Sequence, residues 1–138
     1  MIVLDTNVLS ELMRPTPAAE VVAWVGGVPG PEIRTTAISV AEIRYGLARL
    51  PGGARRRALE AVADEVFDLF RAEVLPFDEP AAVGYARIVS ARDAAGLPIS
   101  GFDAQIAAIC ASRGGVLATR NTRDFTGTGI DLVDPWAG

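Results

Sequence analysis

The sequence predicts an α/β protein: a central, mostly parallel sheet flanked by helices in three layers. Three observations predict it. Ile2-Val3-Leu4 is a wholly apolar run that stops at a carboxylate, Asp5, as a strand buried on both faces does. Strand-like and helix-like segments alternate along the rest of the chain, the pattern of right-handed crossovers over a parallel sheet. The interruptions are short clusters of Pro and Gly, at Pro15-Thr16-Pro17, Val28-Pro29-Gly30-Pro31, Leu50-Pro51-Gly52-Gly53 and Gly114-Gly115. At 138 residues, half of them apolar, the chain reads as one domain over 1–138 with a core to bury.

The elements follow in order. Ile2 to Leu4 is the first strand, and a short helix at Val8 to Met13 follows with Asn7 as its N-cap. A second short helix covers Ala18 to Val25, and Ile33 to Thr36 is the second strand. A helix from Val40 to Arg49 stops at Pro51-Gly52. The next carries Leu59, Val62, Ala63, Val66, Phe67 and Phe70 at helical spacing, a core-facing stripe. Val74 to Phe77 is the third strand. Pro80 opens a helix that runs to the stop at Gly96. Phe102 to Arg113 is the last helix, Val116 to Ala118 a buried strand and Asp131 to Val133 an edge strand.

Composition removes whole classes of chemistry. There is no histidine and no lysine, so all thirteen basic residues are arginine. That excludes Ser-His-Asp and Cys-His catalysis, Lys Schiff bases, the P-loop lysine and His-built zinc sites. Carboxylates, hydroxyls and arginines remain, and carboxylates without histidine suit a hard cation such as Mg²⁺ or Mn²⁺. A net charge of −4 argues against a generally sticky nucleic-acid binder but leaves room for a nuclease with a local arginine patch. The single Cys110 lies in an apolar helical stretch and reads as a buried structural thiol. No secretory leader or membrane span is indicated, and a cytoplasmic protein is the expectation.

Asp5 is the sharpest candidate. In an open parallel sheet, ligands bind beyond the carboxyl ends of the strands, and Asp5 falls there. Its bland reading is an N-cap, a role that Asn7 fills. Ser39-Val40-Ala41-Glu42 and Ser100-Gly101-Phe102-Asp103 both match a capping box, which needs no ligand. Both also place an acid in the first turn of a helix at the rim that carries Asp5, and three acids converging there would hold a metal. Asn121 and Asp124 lie beyond another strand end, in what is otherwise an ordinary polar turn.

These residues together resemble the PIN-domain ribonucleases. The resemblance rests on Val3-Leu4-Asp5-Thr6-Asn7, Ser39-Val40-Ala41-Glu42-Ile43 with Gly46, Phe102-Asp103-Ala104-Gln105-Ile106-Ala107-Ala108, and Ala118-Thr119-Arg120-Asn121 with Asp124-Phe125. More narrowly the chain resembles the VapC and FitB-type toxins of toxin–antitoxin pairs, through to the closing Asp134-Pro135-Trp136. It implies a PIN-like fold and a Mg²⁺-dependent endoribonuclease, with Mn²⁺ able to substitute. Asp5 and Asp103 match the principal metal-binding acids and Glu42 the third acidic position, where it orients or deprotonates the attacking water. Some relatives carry Asp where this chain has Asn121. The fourth position is therefore filled by Asn121 as a neutral ligand or water-holder, or by Asp124, and the metal count stays open. Thr6 is a supporting contact to a metal-bound water or phosphate, or a simple turn hydroxyl.

The resemblance also implies a cognate antitoxin whose tail places an Arg or Lys among Asp5, Glu42 and Asp103. Arg55, Arg56 and Arg57 open a helix, where positive charge opposes the dipole. That conflict points to RNA backbone or a partner's acids, against the plain reading of a solvated face. The apolar stripe and arginine cluster between Val40 and Phe70 together suggest a homodimer. Two rivals remain: a non-catalytic partner-binding domain, and a Mg²⁺-dependent phosphatase of the haloacid-dehalogenase type. The phosphatase needs a second Asp at position 7, where this chain has Asn7.

Overall fold

The computed structural model describes residues 1–70 and 74–137. Among them are five strands, all parallel, in the spatial order β3-β2-β1-β4-β5. The strands are β1 (Ile2–Leu4), β2 (Ile33–Thr36), β3 (Val74–Leu75), β4 (Val116–Ala118) and β5 (Asp131–Val133). Six α-helices connect them: α1 (Thr6–Leu12), α2 (Ala19–Gly26), α3 (Ala37–Ala48), α4 (Ala54–Asp68), α5 (Glu79–Ala94) and α6 (Gly101–Arg113). The expected fold class, order of elements and edge position of β5 are all met.

Strand periodicity splits the core into two. Val3 and Leu117 point to one face, where they meet Ile88 of α5 and the Ile106–Cys110 run of α6. Leu4 and Ala118 point to the other, against Val8 and Leu9 of α1, Val21 of α2, Ile43 of α3 and Phe67 of α4. Adjacent residues serving opposite layers is what a two-residue repeat requires. Val3, Leu4, Val8, Leu9, Ile88 and Leu117 are wholly buried, each contributing about 1.5–3 kcal/mol. Cys110 is buried with them, and burial pushes its thiol up to about 12, which keeps it protonated and inert. Gly114 ends α6 at φ +65° and Gly96 follows α5 at φ +72°, positions where a side chain would strain the backbone.

Four local expectations are corrected. Asn7 is not the cap of α1: Asp5 is, in extended geometry, with its carboxylate accepting from the Thr6 amide. Ser39 does not start α3 either. Thr36 caps it and accepts from the Ser39 amide, so Glu42 falls in the second turn and is free of any capping box. The third strand ends at Leu75, because Pro76 has no N–H to give to a ladder. Finally, Ala63 and Phe67 of α4 and Phe70 just beyond it are buried in the chain's own core while Leu59, Val62 and Val66 are half-buried, so the stripe is available to a second copy only in part. By contrast, Ser100 caps α6 and accepts from the Asp103 amide, as its sequence predicts. No described helix is long and apolar enough to cross a membrane.

Candidate active site

The carboxyl edge of the sheet gathers the polar residues. The first residue past β1 is Asp5 and the first past β4 is Thr119, and the pairing of Leu4 with Ala118 sets them side by side. Thr119 is fully buried and donates to Asp5 Oδ2 at 2.7 Å, while the Thr6 amide donates to Oδ1 at 2.7 Å. Asn7 holds the same corner from the other side. Its amide nitrogen donates to Thr119 Oγ1 at 3.2 Å, and its oxygen accepts from the Arg120 amide at 3.2 Å.

The end of β2 supplies a second cluster. Thr6 Oγ1 stands 2.8 Å from Glu42 Oε1 and 3.0 Å from Ser39 Oγ. A hydroxyl has one proton, and the carboxylate is the stronger acceptor, so Thr6 donates to Glu42 and takes its second contact from Ser39. Asp103 enters from the first turn of α6. Behind it, the buried Arg92 donates to the carbonyls of Leu97, Pro98 and Thr126. That ties the turn before α6 to the segment after Asp124.

Asp5, Thr6, Asn7, Glu42, Asp103 and Asn121 line one cavity of about 560 Å³. Burial drives the Asp5 carboxyl up to about 6, and the charges of Asp103 and Glu42 add to this against the two hydrogen bonds that oppose it. Asp103 is also raised, first by burial and then by Asp124, with the Ser100 hydrogen bond and Arg92 pulling the other way. Buried acids that share a cavity wall are costly without a cation. Every donor there is a hard oxygen, which fits Mg²⁺ or Mn²⁺.

The acids do not meet as closely as the sequence suggested. Among the described residues no three acidic, cysteine or histidine side chains are grouped tightly enough to grip an ion by themselves. Mg²⁺ accommodates this, because it keeps several waters and binds through one or two carboxylates. Asp124 lies outside the cavity. It sits in a short 3-10 turn, Thr122–Phe125, and faces a smaller cavity with Arg92, Ser100 and Asp103, so it reaches the site only through Asp103. Asn121 is the residue of that segment that lines the main cavity.

Arg55, Arg56 and Arg57 do open a helix, α4, but none lines the acid cavity. Arg56 is taken up by Glu60 at 2.6 Å. The cavity's cations are instead Arg14 and Arg120, and Trp136 joins them. Sequence reasoning assigned no role to these three or to Thr119. Only Thr119 had a readable signal: it follows a buried strand just as Asp5 does, and parallel register makes such residues neighbours.

Residues 2–129 match the PIN domain family. Over 137 residues the chain is 39% identical to the VapC ribonuclease Y4jK of Sinorhizobium fredii, spanning 99% of this chain and 98% of that one. It is equally 39% identical to toxin FitB of Neisseria gonorrhoeae, over 99% of both. The crystal structure of FitAcB from Neisseria gonorrhoeae superposes with a TM-score of 0.92 at 39% identity, covering 99% of each chain. A structure of FitAB bound to an IR36 DNA fragment gives 0.91 at the same identity, over 99% of this chain and 96% of that one. An acid at the end of the central strand, a matching fold and full-length relatives agree: the chain belongs to the PIN-domain family, in its VapC and FitB-type branch.

Proposed function

We propose that the protein is a Mg²⁺-dependent endoribonuclease and the toxin of a toxin–antitoxin pair. The observation that carries the reading is the buried, strained carboxyl of Asp5 facing Asp103 and Glu42 across an open, oxygen-lined cavity. Asp5 and Asp103 would hold the divalent ion, with Mn²⁺ as a substitute, and Asn121 would support it from the same cavity wall. When bound, the ion lowers the pKa of an attacking water and stabilises charge on the phosphoryl oxygens.

The chain's own groups do the rest. Glu42 takes the proton of the attacking water, and the Thr6 hydroxyl fixes the carboxylate that does so. Thr119 and the Thr6 amide keep Asp5 aimed at the cavity. Arg14 and Arg120 meet the phosphates, and Asp124 tunes the charge of Asp103 from behind. Arg55 and Arg57 are left for a partner's acids or distal RNA.

FitAcB and FitAB are among the solved relatives, and they support a cognate antitoxin here. A basic side chain on its tail, set among Asp5, Glu42 and Asp103, would neutralise the same repulsion that the cation does. We also propose a homodimer. Val83 of α5, Leu97 in the turn after it and Phe102 in the first turn of α6 are exposed apolar side chains that would favour it.

Purified protein incubated with single-stranded RNA in Mg²⁺, Mn²⁺ or excess EDTA tests the central reading. Cleavage is expected with both ions and not in EDTA, and the ions should raise stability by about 2.7 kcal/mol at a hundred times their dissociation constant. Full cleavage in EDTA would sink the metal-dependent mechanism. RNA left intact under every condition would favour the partner-binding alternative.

A further inference from the structure

Arg120, given to the phosphates above, and Trp136, which the chemistry above does not use, both line the acid cavity. The guanidinium of Arg120 lies 5.0 Å from the centre of the Trp136 ring. Both residues are held in place. The Arg120 amide is bonded to Asn7 Oδ1, and the Trp136 amide donates to Asp134 Oδ1 at 2.9 Å in the turn after β5. The indole is half-buried against the core cluster of α1 to α4, so its position is set by packing.

Two other arginines lie over rings: Arg49, over Tyr45 at 5.6 Å and outside the acid cavity, and Arg44. Arg44 lies over Phe67 but is also ion-paired to Asp64 at 2.7 Å. Arg120 is exposed and has no ion pair among the described residues. Glu11 feels its charge but is already satisfied by Arg14 and the Ala18 amide. A planar cation resting on a fixed indole, open to solvent and beside a phosphate-cutting site, presents a flat surface with no polar obligation of its own.

We infer that Arg120 and Trp136 form a stacking platform for one nucleobase next to the scissile phosphate. The inference rests on the ribonuclease reading. Bases splayed from single strands stack on aromatic rings and on guanidinium planes, whereas bases in a duplex are already stacked and cannot reach such a surface. Because every base has a π-face, the platform tolerates any base at that position. It also places Arg120 so that one cation serves both the base and the adjoining phosphate.

The test uses the whole protein with Trp24→Phe, so that Trp136 is the only fluorophore of its kind, and Ca²⁺ in place of Mg²⁺ to slow cleavage. Three ligands of equal length are titrated: a single-stranded oligoribonucleotide, the same backbone carrying abasic residues, and a blunt duplex. The single strand should quench Trp136 fluorescence and bind at least about fivefold more tightly than either control. Arg120→Ala and Trp136→Leu should each weaken single-strand binding about 5- to 150-fold, the range covered by stacking one base. Trp136→Phe, which keeps a π-face, should retain most of it.

Equal affinity for the abasic strand, unchanged binding by Arg120→Ala, or no quenching at all overturns the platform. So does a result in which these variants lose only antitoxin binding. Arg120 is exposed, so if Trp136→Leu melts early, Arg120→Ala decides the matter through the ratio of single-strand to abasic-strand affinity, which a lost phosphate contact leaves unchanged and a lost platform lowers. RNA cleavage by the wild type in Mg²⁺ is scored in parallel. If the wild type cuts RNA while the abasic strand binds equally well, the platform alone is wrong. If it cuts none, the ribonuclease reading has failed.

Discussion

Two buried carboxylates stand at opposite ends of the seven-residue helix α1, and they behave in opposite ways. Asp5 caps its N-terminus and is 4% exposed; Glu11 lies in its last turn and is 7% exposed. The helix dipole favours an anion at the first position and opposes one at the second, by about 0.3–1 kcal/mol each. On that ground alone Asp5 should be the more acidic. Instead it is raised to about 6, while Glu11 is held below its ordinary value. Burial decides the matter for Asp5, and partners decide it for Glu11. Glu11 accepts from the Ala18 amide at 2.9 Å and pairs with Arg14, whereas Asp5 is raised by burial, and the charges of Asp103 and Glu42 add to this against its two hydrogen bonds. One acid is complete within the fold. The other is complete only with something brought from outside.

The largest effect that should separate them is on catalysis. Asp5→Asn should lower RNA cleavage by about 10²- to 10⁴-fold, the range for losing one positioned catalytic group, while Glu11→Gln leaves turnover near wild type. Initial rates on one RNA, with melting curves for both variants, measure this. Asn still caps helices well, so Asp5→Asn should fold normally. A Glu11→Gln variant that folds but does not cut would break the distinction between the two acids.

The next effect is on stability against pH, without metal. Since the Asp5 carboxyl sits at about 6 against 3.8 when unfolded, the folded chain binds that proton more tightly than the unfolded chain does. The stabilisation is complete below about pH 3.8 and is lost as the pH rises to about 6. The difference amounts to about 3 kcal/mol. Glu11 contributes with the opposite sign: its stabilisation is present above 4.5 and is lost as the pH falls. Denaturation midpoints between pH 4 and 7 should therefore fall less steeply for Asp5→Asn than for wild type. Superimposable curves would mean that Asp5 is not strained.

Smaller effects sharpen the contrast further. Thr119→Val removes the 2.7 Å bond to ionised Asp5 and should cost about 1.5–3 kcal/mol near pH 8, with a smaller cost near pH 5. An equal loss at both pH values would point to packing and not to the carboxylate. Arg14→Ala should cost under about 1 kcal/mol, because that arginine is 66% exposed and water screens its pair with Glu11. A melt showing a larger loss would mean that Glu11 depends on Arg14 more than on the Ala18 amide.

The sequence by itself determined the layers and the central acids. Apolar runs three or four residues long, ending at polar residues, are enough to define buried parallel strands, because residues that bury both faces of a sheet leave no alternation to misread. Ser100 and Asp103 were legible for a similar reason: a capping box is local, and the three-residue spacing alone brings the hydroxyl to the amide.

Only the tertiary structure decided which residues share the cavity. Asp5 and Thr119 are 114 positions apart and meet because β1 and β4 are neighbours, although β4 is not next in the chain. Asp124, three residues past Asn121, turned away because the chain tightens into a 3-10 turn there. The arginine triad was conspicuous in the sequence, yet α4 carries it away from the sheet edge, and Arg14, Arg120 and Trp136 arrive from three separate elements. Spacing along a chain reports neighbours within one element. Which strand ends adjoin is set by how the layers bury their apolar faces, and that is a property of the whole fold.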